Sequence, residues 1–518
     1  MGFYNEPCSK ALSIMPCCSE RLYGNWLREM HIMKIPRIMS TQHPDNVQLP
    51  FFAESQDMSG DDEIQEAYYA FSHLGCDEQM WDCEGKEVDD FVVRKLLTKY
   101  EHFFKTKRLG EEVRLTLRLP NPEVEKNEAK VFVETLESIP RSCDAASLFY
   151  GCETPPIYEV ILPMTMSAES LNRVYYYYRD FVVGKQNQPF YPGDITIAEW
   201  IGKFNPREIN VIPLFEDREH MLEAHTIMRA YLKGKTIRHQ RVFIARSDPA
   251  MNYGMVSAIL CNKIALQRLR LLSEETGVHI YPILGAGSAP FRGHLAPDTV
   301  DKVMEEYPDV QTFTVQSAFK YDHPVASVIA AINKLNTTKM MRGYDIEEGK
   351  CLEIIDKVST EYRRTIEHMA LLINYVAAFV PRRRMRKLHV GLFGYARSIG
   401  KTSLPRVISF CAACYSIGLP PEILGLNVLS KDDIRCMKDM HVNFNFDMQT
   451  AMSYFNEDVL TILPDEVKAS LKLDWGPYEV NQAHKAITSR IIRAVKNKDS
   501  ANLQSMLVEA AHIRKFLG

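Results

Sequence analysis

Residues 39–46 read Met-Ser-Thr-Gln-His-Pro-Asp-Asn, with one histidine, His43, among polar neighbours after an apolar lead-in that includes Ile35 and Ile38. An imidazole titrates near neutrality, so at the end of a strand it could move a proton or hold an anion in a cleft. Ser40, Thr41, Asp45 and Asn46 are equally ordinary turn and helix-cap residues, and Pro44 punctuates loops. Two carboxylates stand out further along. Glu216 follows the apolar run Val211-Ile-Pro-Leu-Phe215, and Asp248 follows Phe243-Ile-Ala-Arg-Ser247. Placed at equivalent ends of successive strand-helix units, they suit Mg2+ or Mn2+, which bind few protein oxygens and keep water or substrate ligands. Either could instead cap the helix after it. A third segment, Ile283-Leu-Gly285-Ala-Gly287-Ser288-Ala-Pro-Phe-Arg292-Gly293-His294, could form an anion loop. Its glycines let backbone N–H groups approach an anion, and Arg292 can bind phosphate or carboxylate through two parallel bonds. The loop matches neither the dinucleotide fingerprint nor the Walker pattern, and it also reads as a flexible connection with a surface arginine.

These side chains need elements to hold them. Apolar or alternating runs recur at 113–119, 158–162, 209–215, 241–245, 278–281, 311–315 and 387–393, each ending in polar or glycine-containing residues, and they are predicted strands. Helix-period stretches lie between them, at 219–233 and 255–275, and the last third is mostly helical, at 346–379 and 483–516. Alternation of strand and helix implies parallel units, and the number of runs favours a (β/α)8 TIM-type barrel over two doubly wound sheets. The wide apolar faces of the C-terminal helices predict an extra helical layer on that barrel. In such a fold the strand ends carrying Glu216 and Asp248 form the C-terminal face, where catalytic groups gather.

Composition narrows the class. The chain has 518 residues, 46% hydrophobic and 25% charged, with a formal net charge of -4. It is large enough to bury a sizeable core. That balance gives no general attraction to nucleic acid or an acidic membrane surface, so an anion site must be a local cluster of basic residues. Twelve cysteines occur without a short-range framework or a secretory signal, which favours a reducing cytoplasm. Cys411 and Cys414 read as buried small apolar residues, and the four tyrosines 175–178 as packing residues inside a helix. The longest apolar stretch, near 369–380, falls short of the ~18 residues a membrane span needs.

The octapeptide closely resembles the N-terminal active-site segment of the archaeal-type phosphoenolpyruvate carboxylases; larger bacterial and plant enzymes carry Thr-Ala-His-Pro-Thr-Glu there. Three further segments recur in the family's order. Pro213-Leu-Phe-Glu216 is similar to the segment with a metal-binding glutamate, and Arg246-Ser-Asp248-Pro-Ala-Met-Asn-Tyr-Gly254 to that with a metal-binding aspartate. The loop from Gly285 to Gly293 is similar to Gly-Arg-Gly-Gly-Ser-Ile-Gly-Arg-Gly, placing Arg292 on its second arginine. Ala286 stands where that loop has its first arginine, and Met251 where the larger enzymes have a lysine. Arg118 and Arg406 resemble family arginines that hold substrate. For one further arginine the candidates are the run Arg382, Arg383, Arg384 and Arg397; such a run usually forms a solvated face. Arg397 is ranked first because it follows the predicted strand 387–393.

The resemblance spans residues 33–518 and leaves 1–32 as an extension of unknown role. It implies a carboxy-lyase that joins phosphoenolpyruvate and bicarbonate into oxaloacetate and phosphate, through carboxyphosphate and a metal-bound pyruvate enolate, in an anaplerotic supply of C4 acids. The implied cofactor is Mg2+ or Mn2+, held by Glu216 and Asp248. His43, Arg292 and Arg397 would be catalytic, with Arg118, Arg406, Gly285, Gly287 and Ser288 binding substrate. The implied assembly is a cytoplasmic homotetramer without nucleic-acid or membrane partners. From the residues alone, a metal-dependent lyase or aldolase with the same enolate chemistry, or a helical scaffold whose polar strand ends are only caps, are the competing readings. Asp82-Cys-Glu-Gly-Lys86 also resembles a family segment, with no role legible in it.

Overall fold

A computed structural model of the chain describes residues 34–84, 89–126, 129–385, 397–399 and 402–518. Eight strands pair in parallel in chain order and close on themselves: β1 (Ile38–Ser40), β2 (Glu78–Asp82), β3 (Arg114–Arg118), β4 (Glu159–Leu162), β5 (Asn210–Phe215), β6 (His239–Ala245), β7 (His279–Gly285) and β8 (Thr312–Val315). Closure is made by β1, whose Ile38 lies opposite Phe313 of β8 and whose Met39 lies opposite Glu78 of β2. Helices follow most strands, and the expected (β/α)8 barrel is the observed one.

Successive side chains of a strand alternate between faces, so every second residue points into the barrel. Near the strand N-termini this interior is ionic. Arg241 donates to Glu78 at 2.6 and 2.8 Å, to Glu159 at 2.9 Å and to Thr312 at 3.3 Å, and all four residues are buried. Arg114 approaches Glu159 at 3.6 Å, and Thr116 donates to Glu78. Burial alone would raise the Glu159 carboxyl, but Arg241 and Arg114 together hold it below its ordinary range. The next inward layer is apolar, an isolated cluster that includes Met39, Met80, Ile161, Leu214, Phe243 and Ile283. A second, much larger core lies between barrel and helices.

The predicted helical layer is present. Helix Glu348–Ala377 packs on helices Met255–Thr276 and Val407–Ser416, and Gln482–Lys496 packs on Leu503–Arg514. One expected helix is divided, and the C-terminal helical stretch is present as two helices. The stretch 219–233 is Arg218–Leu222 and Ala224–Leu232, broken at Glu223. The stretch 483–516 turns at Lys498, whose φ of 54° lies in the left-handed region that ends a helix. Strand β2 escaped the periodicity because its inward residues, Glu78 and Asp82, are charged. Tyr178 is buried with its hydroxyl on the Pro206 carbonyl at 2.8 Å, and Cys411 and Cys414 are buried in helix Val407–Ser416.

The strand predicted at 387–393 lies outside the described residues, and the barrel closes without it. Beyond it, β9 (Arg397–Ile399) and β10 (Thr402–Leu404) form a separate antiparallel pair. No helix among the described residues is long and apolar enough to cross a membrane.

Breaking the ionic layer should be costly. Arg241→Met leaves Glu78 and Glu159 buried without their central counter-charge and is expected to lower stability by about 3–5 kcal/mol. Adding Glu78→Gln should return part of that loss. Denaturant midpoints of the two variants check this.

Candidate active site

Following the inward rows one step beyond the apolar layer leads to the barrel mouth. On β2 and β3 the row continues to Asp82 and Arg118, and just past β5 it reaches Glu216. Arg118 lies 3.6 Å from Asp82 and makes an ion pair with Glu84, all three side chains being buried. Glu84 belongs to the segment Asp82-Cys-Glu, whose role the sequence did not disclose. Glu216 is buried and accepts a hydrogen bond from Met164 N at 2.7 Å. It does not cap the following helix; its neighbour Asp217 does, accepting from His220 N at 3.0 Å. Asp248 is half-buried in the first turn of helix Ser247–Tyr253, at the end of β6. Burial pushes the Glu216 carboxyl up to about 8; the Arg118 guanidinium pulls it down, and the charges of Asp248 and Glu84 add to the rise.

The two carboxylates bear on metal binding. Among the described residues no three His, Cys, Asp or Glu side chains converge into a complete cage. A pair of oxygen donors with surplus negative charge around them nevertheless fits Mg2+ or Mn2+, which take their remaining ligands from water and substrate.

The octapeptide is no surface turn: Ser40, Thr41, Gln42, Asp45 and Asn46 are buried. Gln42 Oε1 accepts from Asp82 N at 2.9 Å, tying the segment to the end of β2. His43 is half-buried, its Nδ1 3.0 Å from Thr41 Oγ1. Asp45 accepts from Ala318 N at 2.7 Å and from Arg292 at 3.1 Å.

The glycine loop serves Arg292 first. Its guanidinium, almost fully buried, also donates to Ser247 Oγ at 3.2 Å, Gln316 Oε1 at 2.6 Å and the Gly518 carbonyl at 2.7 Å. A Cβ on Gly287 would stand 2.8 Å from this guanidinium, so the glycine is what lets the arginine fold back on the loop. Gly293, at φ 122°, lies against Ala286 in the same way, a Cβ on it standing 2.8 Å from the alanine Cβ. Gly285 ends β7, and the Ser288 hydroxyl donates within the loop to Leu295 O at 3.1 Å.

Two groups thus form, Arg118 with the carboxylates and Arg292 with Asp45 and Gln316, joined through Ser247 and Asp248. Arg406 stands, half-buried, at the start of helix Val407–Ser416. The backbone of Arg397 lies in β9, outside the barrel, so following a barrel strand is no longer a ground for ranking it first; its side chain lies outside the described residues. The basic run is corrected as well. Arg382 is exposed, but Arg383 and Arg384 are buried. Arg383 donates to the carbonyls of Asn46 and Val47 at 3.2 and 3.0 Å, and Arg384 to Glu66 at 2.7 Å and Glu63 at 3.3 Å. Both hold the octapeptide's surroundings together instead of facing solvent.

Residues 316–322 escaped notice altogether. Gln316 contacts Arg292, Lys320 the octapeptide and Asp322 the two residues that follow it, Val47 and Gln48, and the available signal was only their polarity straight after a strand.

Residues 35–518 match the family model described as phosphoenolpyruvate carboxylase. The chain is 57% identical over 486 residues to the phosphoenolpyruvate carboxylase of Methanothermobacter thermautotrophicus, covering 94% of this chain and all of that one. It is 52% identical to that of Methanospirillum hungatei, over 94% of this chain and all of the other, and 51% identical to that of Pyrococcus furiosus, over 82% and 89%.

A pH signature follows from Glu216. Its folded value of about 8 lies above the ordinary 4.5, so the folded protein holds this proton more tightly than the unfolded chain. The stabilising contribution is full below about pH 4.5 and lost as pH rises through about 8. In metal-free protein the denaturant midpoint is therefore expected to fall across that window more steeply for wild type than for Glu216→Gln. Parallel profiles would mean that Glu216 ionises as an ordinary carboxylate.

Proposed function

The chain belongs to the phosphoenolpyruvate carboxylase family, in its archaeal type, and from that premise we infer that it carboxylates phosphoenolpyruvate with bicarbonate, giving oxaloacetate and phosphate. The observation that carries the mechanism is the placing of Glu216, Asp248 and Arg118 together at the C-terminal mouth of a closed parallel barrel.

Every species on the path except CO2 is anionic, so the first task of the site is charge neutralisation. Arg118, Arg406 and Arg292 would meet the phosphate and carboxylate oxygens of the substrates, with Gly285, Gly287 and Ser288 shaping the loop that carries Arg292. Arg397 stays a candidate for the remaining anion contact. Arg383 and Arg384 bind the Asn46 and Val47 carbonyls and the Glu66 and Glu63 carboxylates, so a substrate anion would have to displace a protein partner from either, as it would from Arg292. Glu216 and Asp248 would hold Mg2+ or Mn2+, which supplies Lewis-acid stabilisation where negative charge develops on a substrate oxygen. Bicarbonate attacks the phosphoryl group, giving carboxyphosphate and the enolate of pyruvate; carboxyphosphate releases CO2, and the enolate carbon captures it. His43 would take the proton of carboxyphosphate and keep CO2 against the enolate, a task an imidazole can perform as a general base.

The same reading makes the enzyme a cytoplasmic homotetramer with an anaplerotic role, and residues 1–32 an extension outside the catalytic barrel.

A coupled assay with malate dehydrogenase, with and without bicarbonate, tests the activity. Product formation indifferent to bicarbonate would point instead to another lyase. Glu216→Gln and Asp248→Asn are each expected to lower kcat about a hundredfold or more while the protein stays folded, excess Mn2+ restoring part. Wild-type turnover at limiting metal in either variant would remove both residues from the metal site.

His43→Asn is expected to spare the first step and lose the second. Phosphate and pyruvate should then form in a bicarbonate-dependent way with little oxaloacetate. Pyruvate and oxaloacetate measured together decide it, an unchanged ratio showing that His43 does not control their partition.

A further inference from the structure

One short stretch after β8 grips the octapeptide along its length. Ser317 N donates to the His43 carbonyl at 3.2 Å and Ala318 N to Asp45 Oδ1 at 2.7 Å, while the Asp322 carboxylate accepts from Val47 N and Gln48 N, each at 2.7 Å. Lys320 stands at the centre. Its buried ammonium donates to the Thr41 carbonyl at 2.9 Å, Ser40 Oγ at 3.0 Å and Glu66 Oε1 at 2.9 Å. An ammonium has three protons, so protein oxygens take all of them and Lys320 has none to give a substrate. The same Glu66 oxygen accepts from Tyr321 at 2.8 Å and Arg384 at 2.7 Å, which fixes the position of the ammonium in turn.

The consequence falls on Thr41. Lys320 holds its carbonyl and Val315 O accepts its N–H at 3.0 Å, so its backbone is pinned on both sides. Its hydroxyl then sits 3.5 Å from Val315 O and 3.0 Å from His43 Nδ1. A hydroxyl has a single proton. Donated to Val315 O, it leaves Oγ1 as the acceptor for an Nδ1–H of His43, and the imidazole lone pair is then on Nε2.

We propose that Thr41, anchored by the buried Lys320–Glu66 pair, is a positioning residue that sets the tautomer and orientation of His43 and thereby the partition between oxaloacetate and pyruvate. The inference rests on the role given to His43 above. It also accounts for a buried lysine at the mouth of a barrel without making it a catalytic residue.

Thr41→Val removes the hydroxyl with little change in shape, and Thr41→Ser keeps it. With phosphate, pyruvate and oxaloacetate measured together in the presence of Mg2+ and bicarbonate, Thr41→Val is expected to raise the pyruvate-to-oxaloacetate ratio about tenfold, the weight of one hydrogen bond. Phosphate release should change far less. Thr41→Ser should stay near the wild-type ratio, and Thr41→Val added to His43→Asn should shift it no further. Lys320→Met, if it folds, should follow Thr41→Val; a folded Lys320→Met with the wild-type ratio overturns the anchoring role. A wild-type ratio in Thr41→Val beside a shifted one in His43→Asn overturns the inference and leaves His43 its role. A wild-type ratio in His43→Asn itself overturns that role, and the inference with it.

Discussion

A closed parallel barrel has to fill its own interior, and this one fills the lower part with charge. Arg241, Glu78 and Glu159 meet there from three different strands, with Thr312 from a fourth. Such buried pairs add little net stability, because desolvation offsets most of their attraction, but each is intolerant of losing its partner. Their value here is register. A slip of one residue on β2 would turn Glu78 outward, strand Arg241, and carry Asp82 away from the mouth along with it. The layer that never meets substrate thereby fixes where the side chains four residues further along the strands will stand.

Above it, the site is assembled from pieces that share partners. Asp45 of the octapeptide and Gln316 from the stretch after β8 both bind Arg292, and Ser247, which also binds it, adjoins Asp248. Leu517 N donates to the Asp45 carbonyl at 2.7 Å and the Gly518 carbonyl accepts from Arg292 at 2.7 Å, so the last residues of the chain lie on the same node. Arg292 therefore belongs to the frame of the site as much as to any ligand. Contact with a substrate anion would exchange one of these protein partners for it, and the local rearrangement would be felt at both Asp45 and the glycine loop.

Most of the candidate residues were legible as strand ends because their signals are local. The run before Glu216, the run before Asp248 and the glycines before Arg292 each mark a strand end followed by a polar residue, and the structure has all three at strand ends. Arg118 was read correctly as the end of a strand for the same reason. Strand β2 and the stretch 316–322 were not legible. In the first, charged residues occupy the inward positions; in the second, a short helix has no room to show a period.

By itself, then, the amino-acid sequence favoured the barrel and marked most of its strands and three of the segments at its mouth, since hydrophobic period and motif are properties of neighbours along the chain. Only the tertiary structure decided which charges meet. Arg384 pairs with Glu66 across 318 positions and Arg292 with Asp45 across 247, and no local pattern distinguishes a buried, satisfied arginine from a solvated one. Arg383 and Arg384 looked solvated because charge normally seeks water; they are buried because the folded chain supplies carboxylates and carbonyls in water's place.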